Sequence, residues 1–376
     1  MDRKINPTTA RVLIFDAAYD ESMEQVIARI LDDLPLSWEG KKVLVKPNIL
    51  GPCAPEEGVT THPFLVRAVV RQLRQRGGKV IVGDNPGVQG YGDSENAGRT
   101  CGLVDAAEGC FVNLGHNPVR YQVSSRYLDS VMIAGDVLDA DIVVNLPKLK
   151  THGLTNITAA VKNTFGYVVG GDKMRIHSQA NTPRRFAEAL VDIYQIRPPE
   201  LNILDAVVAM EGNGPHHGSL RTLGKVLASE NAVSLDAVAI HLIGQEVKSV
   251  PHVQIAGGRG LGEVDLSRIS LNGKLIPVTD FKLPTTFIPG LTGVVLNRFL
   301  SRWINCIPEI IKESCRACGI CVKHCPGEAM QMETGPPQID RDKCINCYCC
   351  QEMCPEGAIR LSGRTINVLR SIYSPR

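Results

Sequence analysis

Eight cysteines near the C-terminus carry the most distinctive chemistry in the chain. Cys315, Cys318, Cys321 and Cys325 are spaced C-x2-C-x2-C-x3-C and followed by Pro326; Cys344, Cys347, Cys350 and Cys354 repeat that spacing before Pro355. Each cysteine of the second run lies 29 residues after its counterpart (344 against 315), and the tails Pro-Gly-Glu-Ala-Met and Pro-Glu-Gly-Ala-Ile also match, so the stretch is an internal repeat. Three thiolates on one tight loop reach three corners of an iron–sulfur cube but hardly the fourth. A cysteine that opens a short helix, with proline limiting how the chain continues, reaches across to the neighbouring cube. The spacing therefore assigns Cys315, Cys318, Cys321 and Cys354 to one [4Fe-4S] cluster and Cys344, Cys347, Cys350 and Cys325 to the other. Structural zinc would take paired C-x2-C units rather than a continuous run. A disulfide scaffold belongs with export, and the N-terminal MDRKINPTTARVLIF has no apolar segment long enough for a signal peptide. The two runs differ at one point: Gly319 follows the second cysteine of the first, whereas Tyr348 and an extra Cys349 stand there in the second. Cys349 reads as a spare thiol or an alternative ligand.

A second set of polar residues falls where strands end. VLVKPN places Lys46 and Asn48 after one apolar run, VGDNPG places Asp84 and Asn85 after another, and NLPKLKTHG places Asn145, Lys148, Lys150 and His152 after a third. Lys162, Lys173, Arg175 and His177 follow, then Asp205, Glu211, His216 and His217. In open α/β sheets, ligands bind beyond the carboxyl ends of the strands. Lys148, Lys150 and Lys162 stand close in sequence to small and amide residues, which suits recognition of a carboxylate or phosphate. The competing reading is that each lysine simply points into water. Lys46, Asn48, Asp84, Asn145, Lys148, Lys150, Lys162 and Lys173 form the candidate anion site. His152 and His177 are candidate proton donors, since imidazole titrates near neutrality. The Gly-rich segments GGDK and EGNGPHHG are neither a Walker loop nor a dinucleotide fingerprint.

The elements that must position these residues read as α/β. Strands are expected at 12–15, 42–46, 80–83, 141–146, 201–204 and 226–228, with helices at 21–34, from Thr60 or Thr61 to Leu73, at 186–196 and at 233–243. Strand–helix alternation with short connections argues for a mostly parallel sheet flanked by helices. The expected organisation is an α/β domain at 1–290, an apolar connector at 291–312, a small α+β cluster domain at 313–364 and a tail at 365–376. The net charge of +2 gives no case for nucleic acid, and no apolar run approaches the length of a membrane span. Thirteen cysteines without an export signal point to a reducing, cytoplasmic setting.

Residues 313–363 resemble bacterial-type ferredoxins with two [4Fe-4S] clusters. The segments VLVKPNILGPCAPEEGVTTHP, VGDNPG, NLPKLKTHGLTNITAAVKNTFG, GDKMRIHS and EGNGPHHGS resemble the domain of unknown function 362 family, which often carries such a module at its C-terminus. That resemblance implies an α/β domain with an iron–sulfur partner domain and carries no settled reaction. A distant fold relation to the nickel-dependent lactate racemases is also expected, without their His-rich metal-pincer motifs. Three functions fit: a redox enzyme passing electrons through two clusters to a small anionic substrate or cofactor, a carrier whose α/β domain docks a partner enzyme, and a protein in which the clusters are structural or sensing elements. The first two require an electron donor or acceptor protein.

Overall fold

A computed structural model describes residues 10–34, 36–86, 94–284, 307–345, 347–352 and 354–362. The expected connector lies outside the described residues up to 306, and so does the expected tail at 365–376. Nine strands form the main sheet: β1 (Arg11–Asp16), β2 (Lys42–Pro47), β3 (Lys79–Val82), β4 (Ile142–Leu146), β5 (Lys148–His152), β6 (Asn156–Thr158), β7 (Leu201–Glu211), β8 (Ser219–Ser229) and β9 (Ser270–Asn272). Their order is β9-β1-β8-β7-β4-β2-β3, with β5 beside β7 and β6 beside β5. The pairs β1–β9, β2–β3, β2–β4, β4–β7 and β5–β7 are parallel; β1–β8, β7–β8 and β5–β6 are antiparallel. The sheet is mostly parallel with helices on its faces, as the alternation of elements requires.

The central strands read as apolar runs because both faces are covered. Ser22–Asp33 lays Met23, Ile27, Ile30 and Leu31 on one face, beside Pro63–Gln75 with Leu65, Val66, Val69, Val70 and Leu73. The other face is covered by Pro183–Ile196, Ala232–Leu242 and Pro251–Gly258. Neither Thr60 nor Thr61 caps the second helix. His62 does, through Nδ1 to the Phe64 amide, with Pro63 at the first helical position, where its missing N–H costs nothing. The Thr61 hydroxyl is engaged instead across β2 and β4, accepting from the Asn48 amide and donating to the Leu146 carbonyl.

The segment after β4 departs most from its sequence pattern. KLKTH alternates charged and apolar residues as a solvent-facing strand would, yet all five residues of β5 are buried. The hairpin β7–β8 is likewise longer than its apolar cores, and it sends the EGNGPHHGS loop back over the end of β5, where the Gly214 amide donates to Thr151 Oγ1.

The cluster region is built from two short antiparallel pairs, Ile307–Ile310 with Ile359–Ser362 and Met330–Gln331 with Gln338–Ile339, and the helical turns Ile320–Lys323 and Cys349–Glu352.

The helix Ala232–Leu242 is buried on almost every side, and its Asp236 is wholly inside. The two carboxylate oxygens accept the Ala160 and Val161 amides at 2.6 and 2.9 Å, satisfying donors at the start of a short helix that would otherwise be orphaned. Asp236→Ala is expected to cost about 2–4 kcal/mol by stranding both amides, read as a lower urea midpoint. An unchanged midpoint would mean that water replaces the carboxylate.

Candidate functional site

The eight cysteines surround two neighbouring cavities. One is lined by Cys315, Cys318, Cys321 and Cys354, with Ile310, Ile320 and Pro355 among its walls. The other is lined by Cys344, Cys347, Cys350 and Cys325, with Pro308, Pro326 and Tyr348. Each cavity thus gathers three thiols from one run and the fourth from the other. Four convergent thiols in an apolar cup match the donor set of a [4Fe-4S] cluster. As thiols they strain one another: burial, then Cys354, Cys318 and Cys315, push Cys321 up to about 11, and burial followed by Cys347 and Cys344 pushes Cys350 well up. Iron would displace those protons.

Backbone donors follow the same repeat. The Ala329 amide donates to Cys325 Sγ at 3.3 Å and the Ala358 amide to Cys354 Sγ at 3.2 Å, four residues on in each run. Left-handed backbone also recurs at matching positions, Gly319 (φ 71) with Tyr348 (φ 61) and Glu328 (φ 48) with Gly357 (φ 57). Tyr348 holds this unfavoured conformation while packing, buried, as a member of a core cluster of the large domain. Cys349 is buried and lines neither cavity.

The strand-end residues lie inside, not in water. Lys46, Lys148 and Lys150 are at most 2% exposed. Lys148 is not in neutral surroundings: its Nζ lies 3.0 Å from Asp205, 57 residues away in sequence, and donates to the Tyr19 hydroxyl at 2.6 Å. Tyr19 donates to the other Asp205 oxygen and stacks on His62, whose pKa burial lowers to about 4. Lys150 donates to the Val59 carbonyl at 2.7 Å. Lys46 meets Asp84 at 2.7 Å, and the Asp84 carboxylate also accepts the Ile49 and Asn85 amides. Burial lowers the pKa of both Lys46 and Lys148, and their carboxylate partners oppose the shift. A Cβ on Gly166 would come 2.2 Å from Asp84 Oδ1, so glycine there makes room for the ion pair. Beside it runs a chain of amides: Asn48 to Asn163, Asn163 to Asn145, Asn145 to Asn202.

Lys173 comes to this cluster from the helix Asp172–Gln179, donating to the Asn85 and Pro86 carbonyls. Burial lowers its pKa to about 7; Asp84 opposes the shift, and Lys46 and Lys162 reinforce it. Lys173 thus feels Lys46 and Lys162 as well as Asp84, and Lys162 itself is half-buried. One turn further on, His177 stacks on Phe186 at 4.3 Å with its edge toward Phe165. His152 is buried on β5, and its Nδ1 accepts the Leu154 amide.

The same helix reaches the cluster region. Met174, Arg175 and Ser178 face Val322, Lys323, Cys325 and Pro326 across a cleft of ≈ 400 Å³. A second contact joins His217 Nε2 to the Cys354 carbonyl at 3.1 Å. Asp205 and Lys173 were singled out in sequence; Tyr19, His62 and Asn202 were not, because nothing local marks them. Among the described residues no helix is long and apolar enough to cross a membrane.

The chain matches the family described as Domain of unknown function (DUF362) over residues 43–241 and a 4Fe-4S dicluster domain over residues 307–355. It is 33% identical over 277 residues to the Thylakoid-associated protein sll1697 of Synechocystis sp., covering 72% of this chain and 85% of that protein. Among solved structures, the lactate racemase apoprotein from Thermoanaerobacterium thermosaccharolyticum is similar at a TM-score of 0.40 and 11% identity, over 60% of this chain and 55% of that one. A Thermotoga maritima protein scores 0.34 at 13% identity over 52% of each chain. The chain spans about half the length of these two structures, which are too distant to bear on its chemistry.

Lys173 makes stability depend on pH. Its folded pKa of about 7 lies below the ordinary 10.5, so between those values the unfolded chain holds a proton that the folded chain lacks. Stability from this group rises with pH across that window, by at most about 1.4 kcal/mol per pH unit. In urea unfolding, wild type minus Lys173→Met should show that upward slope; a flat difference would place the ammonium in water.

Proposed function

Because the chain belongs to the DUF362 family and ends in a 4Fe-4S dicluster domain, we propose that it is a redox enzyme delivering electrons through two [4Fe-4S] clusters to a small anionic substrate or cofactor in the α/β domain. In this reading Cys315, Cys318, Cys321 and Cys354 hold one cluster, and Cys344, Cys347, Cys350 and Cys325 hold the other. The observation that carries it is the helix Asp172–Gln179: one side delivers Lys173 to the lysine group at the strand ends, while Met174, Arg175 and Ser178 face Cys325.

The clusters, when bound, supply one-electron transfer; the remaining tasks fall to side chains. Lys46, Lys162 and Lys173 hold the anion near Asp84, Asn48 and Asn145 orient it through the amide chain, and Lys148 and Lys150 keep the neighbouring strand β5 in place. An anion would favour the ammonium form of Lys173, so binding takes up a proton wherever that lysine starts neutral. His177, held by Phe165 and Phe186 one turn away, is placed to return protons during reduction. His152 is the second candidate, with Nδ1 already accepting a hydrogen bond.

The carrier reading is favoured by a different observation: Cys318 is exposed, so a partner protein can approach the first cavity directly. Reduced, cluster-loaded protein mixed with small carboxylates and phosphates separates the two. The enzyme reading expects saturable reoxidation by one of these anions, lost in Lys173→Met with iron and sulfide content intact. The anion's affinity should weaken about tenfold per pH unit above about 7. Reoxidation by a redox protein alone, indifferent to Lys173→Met, would leave the carrier reading.

A further inference from the structure

Cys53, Glu57 and His216 place one sulfur, one oxygen and one nitrogen within 4.8 Å of one another. From this convergence we propose that they form a mononuclear site for a borderline divalent cation, zinc or ferrous iron, separate from the cluster cysteines.

The three donors come from two loops whose folding has independent causes. Cys53 and Glu57 flank the turn Pro55–Glu57, which Gly58 ends in a left-handed conformation. Glu57 Oε1 accepts the Ala54 amide at 2.6 Å, which fixes the carboxylate and leaves its second oxygen for an ion. His216 arrives on the β7–β8 hairpin loop, and its Nε2 lies 3.3 Å from Cys53 Sγ. Ligands around tetrahedral zinc, with bonds of about 2.0–2.3 Å, stand about 3.6 Å apart, so a small inward adjustment closes the set.

The donor set also decides the kind of ion. Thiolate and imidazole select zinc or iron over magnesium and calcium, which take oxygen ligands. Three protein ligands leave a fourth position open to water or to a small anion, the arrangement of reactive rather than structural zinc. Cys53 is buried while Glu57 and His216 are reachable, so the ion would sit at the mouth of a pocket. Behind it, Cys101 donates to the Gly51 carbonyl, and Lys150 lies within electrostatic reach of Cys53. A divalent ion with one thiolate and one carboxylate is neutral, and the Lys150 ammonium then draws an anion to the open position. The next residue, His217, contacts the Cys354 carbonyl, so this site adjoins the first cluster cavity.

The test is zinc uptake by anaerobically purified, cluster-loaded protein, measured by competition with a chromophoric chelator and by elemental analysis. Wild type should bind about one zinc per chain beyond its iron. Glu57→Gln, at an exposed position that leaves folding alone, should weaken binding at least tenfold, and Cys53→Ser with His216→Ala should abolish it, iron and sulfide being unchanged. Equal zinc uptake by wild type and the variants, or none by wild type, would overturn the site and leave a thiol–imidazole hydrogen bond. Because the readout needs no electron transfer, failure of the redox reading would not affect it.

Discussion

Burying an ammonium group costs several kcal/mol unless a partner meets it, and this chain does so four times in and beside its main sheet. Lys46, Lys148, Lys150 and Lys173 are all nearly inaccessible. Their partners come from distant segments: Asp84 after β3, Asp205 in β7, the carbonyl of Val59, and the carbonyls of Asn85 and Pro86. Those pairings tie the end of β2 to the segment after β3, and β5 to β7. The apolar faces hold the layers together, and these charges fix how the segments around Lys46 and Lys148 pair with Asp84 and Asp205.

Among the described residues, the cluster module meets the large domain at Tyr348, at His217 and across the cleft beside Asp172–Gln179. Asp172–Gln179 faces the module across a cleft, and the β7–β8 loop contacts it through His217. An eight-residue helix thus carries Lys173 on one side and lines the cleft to Cys325 with Met174, Arg175 and Ser178. Histidine and lysine on one helical face also bring proton-exchanging groups to the side opposite the thiols.

Much of this was legible in the sequence, where the pattern follows local rules. The cysteine repeat is readable because metal coordination demands particular spacings, and helices such as Pro63–Gln75 are readable because one apolar stripe faces the sheet. Strand β5 was not, because KLKTH has the alternation of a half-exposed strand and its partners lie far along the chain; only the fold reveals that Lys148 has Asp205 beside it. The same is true of Tyr19, whose hydroxyl joins that pair although nothing nearby in sequence marks it. Glu57 and Cys53 were equally silent, since a ligand set divided between two loops has no spacing to read. His62 displaced two threonines as the helix cap because Thr61 bridges two strands.

The duplicated halves of the cluster module differ where Gly319 in one corresponds to Tyr348 in the other. A true twofold wire could seat against the large domain either way round. Holding a tyrosine in left-handed backbone costs of order 1–3 kcal/mol, but burying an aromatic ring of about 150–250 Å² outweighs it. Rotating the module by half a turn would leave that ring's place in the core empty, with only a hydrogen atom on Gly319 to fill it. One side chain thus breaks the degeneracy of two similar halves and gives the module a head and a tail.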